Sequence, residues 1–316
     1  VKAVSKYNLI TILGPTASGK TSVAAHVAAR IGGEVISADS RQVYRGMNLG
    51  TGKDYADYIV DGQKIPCHLV DIVNAGYQYN VYEYQRDFLK VFEDLQHRNV
   101  FPVLCGGSGM YIEAVLKNYR LIQVPHNETL REELAGKSLE ELTAILKRYQ
   151  SKLHNITDIE NKKRAMRAIE IEEYYRSHPK EEIRMPRISS LLIGVKYDRL
   201  TQRKRITERL TQRLKEGLVE EVSRLLNEGL SPEALTYYGL EYKFITSYLK
   251  GELSYDAMFA KLNTAIHQFA KRQMTWFRRM ERQGIPIHWL DGFMPLNEKT
   301  ERILSLFYDS SSSPHM

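Results

Sequence analysis

Short apolar runs separated by amphipathic stretches open the chain. Asn8–Leu13, Glu34–Asp39, Pro66–Val73 and Phe101–Cys105 are dense in aliphatic residues and show little in/out alternation, which predicts strands buried on both faces. Helical segments fall between several of them, so the pattern is that of a parallel sheet with helices on its faces. From about Asn118 to Ile188 the strand signal disappears. There LREELAGKSLEELTAILKRYQ and DIENKKRAMRAIEIEEYYRSH read as charged helices. A strand signal returns at Leu191–Tyr197, followed by arginine-rich helices and a late strand at Ile285–Leu290. The expectation is therefore an α/β core over residues 1–117 and 189–308, a small helical insertion domain at 118–188 and a disordered polar tail at 309–316.

Composition narrows the partners. The 316 residues are 43% hydrophobic, enough for a core domain and a smaller companion. Lys and Arg number 45 against 38 Asp and Glu, a net charge of +7, which favours acidic partners such as nucleic acid or diphosphates. Cys67 and Cys105 lie in separate apolar runs and read as buried thiols, not as a metal or redox pair. No run reaches the roughly eighteen apolar residues of a membrane span. The opening VKAVSKYNLITIL also lacks the order of charge, apolar stretch and cleavage site of a signal peptide. The expectation is a soluble, cytoplasmic protein without a membrane partner.

Candidate chemistry begins at Gly14-Pro15-Thr16-Ala17-Ser18-Gly19-Lys20-Thr21. It fits GxxxxGK[ST], directly after an apolar strand and directly before the helical run SVAAHVAARI. Such a P-loop turns backbone N–H groups onto phosphate oxygens, adds the positive end of a helix and supplies a lysine ammonium. Gly14, Thr16, Ala17, Ser18, Gly19, Lys20 and Thr21 are thus the candidate phosphate-binding residues, with the Thr21 hydroxyl a candidate ligand of Mg²⁺. The fold expectation becomes a P-loop NTPase-like sheet. The motif alone does not choose among ATP, GTP, a nucleoside monophosphate kinase pair and a simple diphosphate, so nucleotide and ATP binding stay open at this point. Asp39 ends the second strand, at the rim where open α/β sheets bind ligands. A carboxylate there can accept a proton or hold Mg²⁺ through water, and it can also simply cap a turn.

The neighbouring residues carry a resemblance. GPTASGKT, ISADSRQVYRGMNLGTGK at Ile36–Lys53, PCHLVDI at Pro66–Ile72 and VLCGGSGMYIEAVL at Val103–Leu116 resemble, in this order, the tRNA dimethylallyltransferases. The likeness continues through NKKRAMRAIEI at Asn161–Ile171, RITERLTQRLKEGLVEEV at Arg205–Val222 and FAKRQMTWFRR at Phe269–Arg279, so it spans nearly the whole chain. It implies that the cradle holds the diphosphate of dimethylallyl diphosphate with Mg²⁺, that ATP is not needed, and that Asp39 accepts a proton from the N6 amino group of adenine 37, next to the tRNA anticodon. It further implies that Ser108, from the family's GG[ST]G motif, and one arginine of Arg203–Arg213 attend the departing diphosphate. Arg209 is the choice among Arg203, Arg205, Arg209 and Arg213, against a solvated helix face paired with Glu208 and Glu216. The sequence departs from the family pattern at Gly52 and Asp54, where GTAKP is usual, at Gly239-Leu240-Glu241, where GYKE or GYRQ is common, and in the insertion, where an NPRR-like run reads NKKR and a TGK-like turn reads RSHPK.

Reading an adenine buried in an RNA loop requires swinging it out of its stack and hydrogen-bonding its polar edges. Ser40 and Gln42 follow Asp39 and suit that task, while Tyr44 and Arg45 suit stacking or backbone contact as well as plain burial. Lys162, Lys163, Arg164 and Arg167 in the insertion, and Lys271 and Arg272 beside Trp276 and Phe277, are the candidate contacts to the anticodon stem-loop of tRNA. A monomer is expected. The competing readings are a nucleotide kinase, an isopentenyltransferase acting on free adenine nucleotides, and a non-catalytic RNA-binding protein. The last predicts loss of Lys20, Thr21 or Asp39, all of which are present.

Overall fold

The computed structural model describes residues 6–119, 121–149, 159–178 and 186–309. The chain divides into two compact units, Val1–Tyr119 with Arg187–Met316, and Arg120–Pro186. The residues of the expected tail beyond Asp309, and Pro179 and Lys180 of the run RSHPK where a turn was expected, lie outside the described residues.

In the first unit the strands are β1 (Leu9–Leu13), β2 (Gly33–Ala38), a small antiparallel pair β3 (Ile59–Val60) and β4 (Gln63–Lys64), then β5 (Cys67–His68), β6 (Phe101–Gly106), β7 (Ser190–Lys196) and β8 (His288–Asp291). Six of them form one sheet in the order β5-β2-β6-β1-β7-β8, and every pairing in it is parallel. Around this sheet lie α1 (Lys20–Ile31), α2 (Val81–His97) and α3 (Gly109–Leu116). After the second unit follow α7 (Arg199–Lys215), α8 (Leu218–Asn227), α9 (Pro232–Tyr237), α10 (Leu240–Leu249), α11 (Tyr255–Arg282) and α12 (Leu296–Asp309). The second unit holds α4 (Glu128–Ala135), α5 (Leu139–Tyr149) and α6 (Lys162–Ser177).

The unalternating strand runs have their cause in two cores. Leu9, Leu13, Ile36, Leu104 and Leu192 face one core built with α2, α3, α7, α8, α10 and α11. Ile10, Ile12, Val35, Val103 and Ile193 face the other, under α1 and α12. Burying a strand on both sides removes the need for polar alternation. Local capping then sets the helix starts. Asn80 and Glu83 form a reciprocal capping box on α2, and the Asp198 carboxylate accepts from the Leu200 and Thr201 amides at the head of α7.

Two strand expectations are corrected. The run Pro66–Val73 is extended only at Cys67–His68, because Leu69 and Asp71 take left-handed φ values of 61° and 55° and turn the chain away from the sheet; Val73 returns only as an isolated bridge to Tyr44. The late strand is His288–Asp291, shifted along from Ile285–Leu290. Cys105 is buried as expected, whereas Cys67 is only half-buried, and burial pushes both thiols up to about 12.

Candidate active site

All the α/β site residues lie along the carboxyl rim of the sheet. Gly14 follows β1, and the next five residues wrap into the head of α1, with Ala17 at φ 61° and Gly19 at φ 79°. Left-handed steps in a loop of this kind turn backbone N–H groups toward a concavity suited to an anion. Gly14 has no room for a side chain, since a Cβ there comes within 2.5 Å of the Val195 carbonyl oxygen and 2.7 Å of Ser18 Oγ. The Ser18 hydroxyl is buried without a hydrogen-bond partner among the described residues, and Thr21 is half-buried in the first turn of α1. Lys20 Nζ donates to the Pro15 carbonyl at 3.4 Å. Burial lowers its pKa, an effect opposed by the charges of Cys105, Asp39 and Asp54.

Gln273 on α11 holds this cradle from outside. Its Oε1 accepts from the Thr16 amide at 2.9 Å, and its Nε2 donates to the Gly107 carbonyl at 2.9 Å. One buried amide therefore ties the P-loop to the loop that carries Ser108. Gln202 on α7 also donates to the Thr16 carbonyl oxygen. The sequence reading missed Gln273 inside its own quoted FAKRQMTWFRR. The available signal was a polar residue on the buried stripe Ile266, Ala270, Phe277, Met280 of a helix.

Asp39 is the first residue beyond β2. Its Oδ1 accepts from the Arg41 amide at 2.9 Å, so it caps the following turn. Ser108, on the adjacent strand's loop, accepts from the Ser40 amide at 3.0 Å and lies 3.3 Å from the Ser40 hydroxyl. The structure thus brings Asp39, Ser40 and Ser108 together. Gln42 differs from expectation: its Oε1 accepts from Ser37 Oγ of β2 at 3.0 Å and its Nε2 donates to the Gly52 carbonyl at 3.0 Å, so its amide ties the strand to the loop of Gly52. Tyr44 is fully buried, with its ring edge-on to Tyr238 and its hydroxyl accepting from the Tyr79 amide, which makes it a core residue and not a stacking platform.

Arg205, Arg209 and Arg213, four residues apart, share one face of α7 and differ in their partners. Arg205 donates to the Ala17 carbonyl at 3.0 Å. Arg209 reaches Thr16 Oγ1 at 3.5 Å and Asp54 at 2.6 Å, while Arg213 binds the same Asp54 carboxylate at 3.1 Å. The partner of this pair is therefore Asp54 and not Glu208 or Glu216, which bond to Lys204 and Gln212. Burial lowers the pKa of Arg209, with Arg213 adding to the effect and Asp54 opposing it. Glu241, beside the same guanidinium groups, has its pKa raised by burial. The loop that carries Asp54 is itself clamped. Glu221 accepts from the amides of Asn48 and Leu49 at 2.8 Å and Gly50 at 3.0 Å, and buried Lys53 bonds to the Tyr44 carbonyl, Asn48 and Asp71. Neither Glu221 nor Lys53 was singled out from the sequence, because nothing local marks them.

Beside Pro15 lies a cleft of about 770 Å³ whose walls include Lys196, Arg199, Arg203, Lys271 and Arg278. Lys271 and Arg272 are exposed on α11, Arg272 over the Phe269 ring. In the helical unit Lys162, Lys163 and Arg164 are exposed, and Arg164 pairs with Glu160. Arg167 departs from expectation: it bonds to Glu170 and to the carbonyls of Val124 and Pro125, so it is a structural residue of that unit. Among the described residues no cluster of three or more His, Cys, Asp or Glu could hold a metal, and no helix is long and apolar enough to cross a membrane.

Comparison with known proteins agrees with this geometry. The family model described as IPP transferase matches residues 42–280, beginning just past the cradle and Asp39. The chain is 61% identical over 293 residues to tRNA dimethylallyltransferase 2 of Bacteroides fragilis, covering 93% of this chain and 95% of the relative. It is 57% identical over 305 residues to tRNA dimethylallyltransferase 1 of Parabacteroides distasonis, covering 96% and 99%. Among solved structures, the full-length tRNA isopentenylpyrophosphate transferase from Bacillus halodurans superposes with a TM-score of 0.70 at 29% identity over 96% of each chain. The family model and the extent of likeness to these relatives show that the chain belongs to the IPP transferase family.

Proposed function

We propose that this protein transfers a dimethylallyl group from dimethylallyl diphosphate to the N6 amino group of adenine 37, next to the anticodon, in tRNA. The observation that carries the reading is that the P-loop and the Asp39 carboxylate stand at the carboxyl ends of β1 and β2, with Gln273 tying the P-loop to the loop of Ser108 and Ser108 hydrogen-bonded to Ser40 beside Asp39. The relatives' names supply tRNA as acceptor. N6 attacks the allylic carbon, the carbon–oxygen bond to the diphosphate breaks and its electrons leave with the diphosphate, and the N6 proton passes to Asp39. Cationic character on the allyl group and negative charge on the leaving group make electrostatic preorganisation the main source of rate. Lys20, the Ala17 and Gly19 region of the nest, Ser108 and Arg209 are the donors placed for the leaving group.

The donor set suits Mg²⁺, which prefers one or two protein oxygens with phosphate and water oxygens over a cage of side chains. Thr21, half-buried in the first turn of α1, would hold the ion through its hydroxyl, and the bound ion would supply charge neutralisation for the diphosphate. The exposed Lys271 and Arg272, the five-cation cleft beside Pro15, and Lys162, Lys163 and Arg164 suit RNA phosphates. The chain acts as a monomer in the cytoplasm. An acceptor that is a free adenine nucleotide uses the same cradle and base, and the Ser40 hydroxyl beside Asp39 fits either adenine.

Purified protein with Mg²⁺, labelled dimethylallyl diphosphate and total tRNA tests this directly, with AMP and ATP as rival substrates. Label is expected in tRNA, and Asp39→Asn is expected to lower the rate by roughly 10²–10⁴-fold. Label entering only AMP, or phosphate transfer from ATP, overturns the reading.

A further inference from the structure

We propose that Asp54 is an internal competitor of the diphosphate for Arg209 and Arg213, and thereby limits how tightly the site holds both the prenyl diphosphate and the pyrophosphate product. The inference rests on the diphosphate reading of the cradle.

The geometry is specific. A single carboxylate meets both guanidinium groups, at 2.6 Å from Arg209 and 3.1 Å from Arg213, and Arg209 is at the same time 3.5 Å from Thr16 Oγ1 of the P-loop. Asp54 is brought there by close backbone approach. Gly52 takes φ 75°, and a Cβ on it comes within 2.8 Å of Nη2 of Arg209 and of Arg213, so the loop lies flat on α7. Glu221 and Lys53 pin the preceding residues, so the carboxylate is presented from a fixed base. A proline at this position, as in the GTAKP pattern, forms neither ion pair.

The charges decide the consequence. Lys20, Arg205 and Arg209 reach the cradle and Arg213 lies beside it, while the carboxylates of Asp54 and Glu241 face the Arg209–Arg213 pair. A diphosphate that takes Arg209 must displace Asp54, whose side chain is 47% exposed and can be rehydrated as it lets go. That exchange subtracts from binding free energy on entry. On exit it works the other way, because Asp54 recaptures the guanidinium as pyrophosphate leaves. A carboxylate serving only to brace Arg209 for the diphosphate predicts the opposite sign, since its removal then weakens binding.

The test measures binding of inorganic pyrophosphate with Mg²⁺ by calorimetry, together with steady-state prenyl transfer to an anticodon stem-loop RNA, for wild type, Asp54→Asn, Asp54→Ala and Arg209→Ala. Thermal melting checks that each variant is folded. Both Asp54 variants are expected to bind pyrophosphate roughly three- to tenfold tighter, the range of a part-exposed ion pair. The KM for the prenyl diphosphate falls with it, while the KM for RNA stays put. Unchanged or weaker pyrophosphate binding in the folded Asp54 variants overturns the proposal. Arg209→Ala separates the two levels: if it leaves pyrophosphate binding intact, the diphosphate role of Arg209 is wrong and the proposal falls with it. If it weakens binding while the Asp54 variants do not tighten it, only the competition is wrong.

Discussion

The α/β unit and the helical unit are both rich in Arg and Glu, yet they spend those charges differently. In the α/β unit two large apolar cores hold the sheet, and charged and amide side chains are free to shape one rim: Gln273 on the P-loop, Glu221 on the loop ahead of Asp54, Asp54 on two arginines. Among the described residues of the helical unit the buried apolar cluster is Leu134, Leu142, Leu146, Ala165 and Ile169, and a buried carboxylate carries part of the structure. Glu170 accepts from the Asn127 amide at 2.6 Å, from Arg131 at 3.0 and 3.2 Å, and from Arg167. Burial works to raise its pKa, but Arg131, the Asn127 amide and Arg167 hold it at about 2. A small core leaves little margin, so there the same residue types are structural before they are functional.

The sharpest way to break this contrast is Gln273→Leu. It strips partners from the Thr16 amide and the Gly107 carbonyl, each costing about 1–3 kcal/mol if left buried. Prenyl transfer is expected to fall by at least about tenfold as the cradle loses its tie to the Ser108 loop. A rate and melting temperature close to wild type refute the positioning role.

Glu170→Gln probes the other unit, with an expected loss of about 2 kcal/mol there and little change in pyrophosphate binding at the cradle. The pH dependence has a definite sign. The folded pKa lies below the ordinary 4.5, so the stabilisation is complete above about pH 5 and is lost as pH falls toward about 2. The stability advantage of wild type over Glu170→Gln, followed by amide hydrogen exchange of residues 121–149 and 159–178, should shrink across that window; an advantage that grows on acidification contradicts the assignment.

The mildest change is the pair Lys162→Ala and Lys163→Ala. Both side chains are exposed, so stability moves by less than about 0.5 kcal/mol while RNA affinity drops severalfold and its salt dependence flattens by up to about 2 in slope. Filter binding at several salt concentrations checks it. Arg167→Ala is expected to do the reverse and destabilise the unit, because Arg167 is bonded to Glu170 and two carbonyls.

Much of the fold was legible locally. Leu9–Leu13 and Phe101–Gly106 announced themselves by unbroken apolar runs, and the cradle by a motif whose glycines and lysine lie within eight consecutive residues, Gly14–Thr21. Pro66–Val73 misled because apolar composition does not reveal two left-handed residues, Leu69 and Asp71, that bend the run out of the sheet. Gln42 and Arg167 misled for a related reason. A polar side chain suited to a ligand is equally suited to a neighbouring loop, and only its partners in space distinguish the two.

By itself the sequence determined the parallel α/β plan, the place of the phosphate cradle and the candidate base Asp39, because those depend on periodicity and on residues a few positions apart. The tertiary structure alone decided that Gln273 holds Thr16, across 257 positions, and that Asp54 claims Arg209, across 155. Such pairings are fixed by how helices pack on the sheet, and side-chain hydrogen bonds select among neighbours that only packing creates.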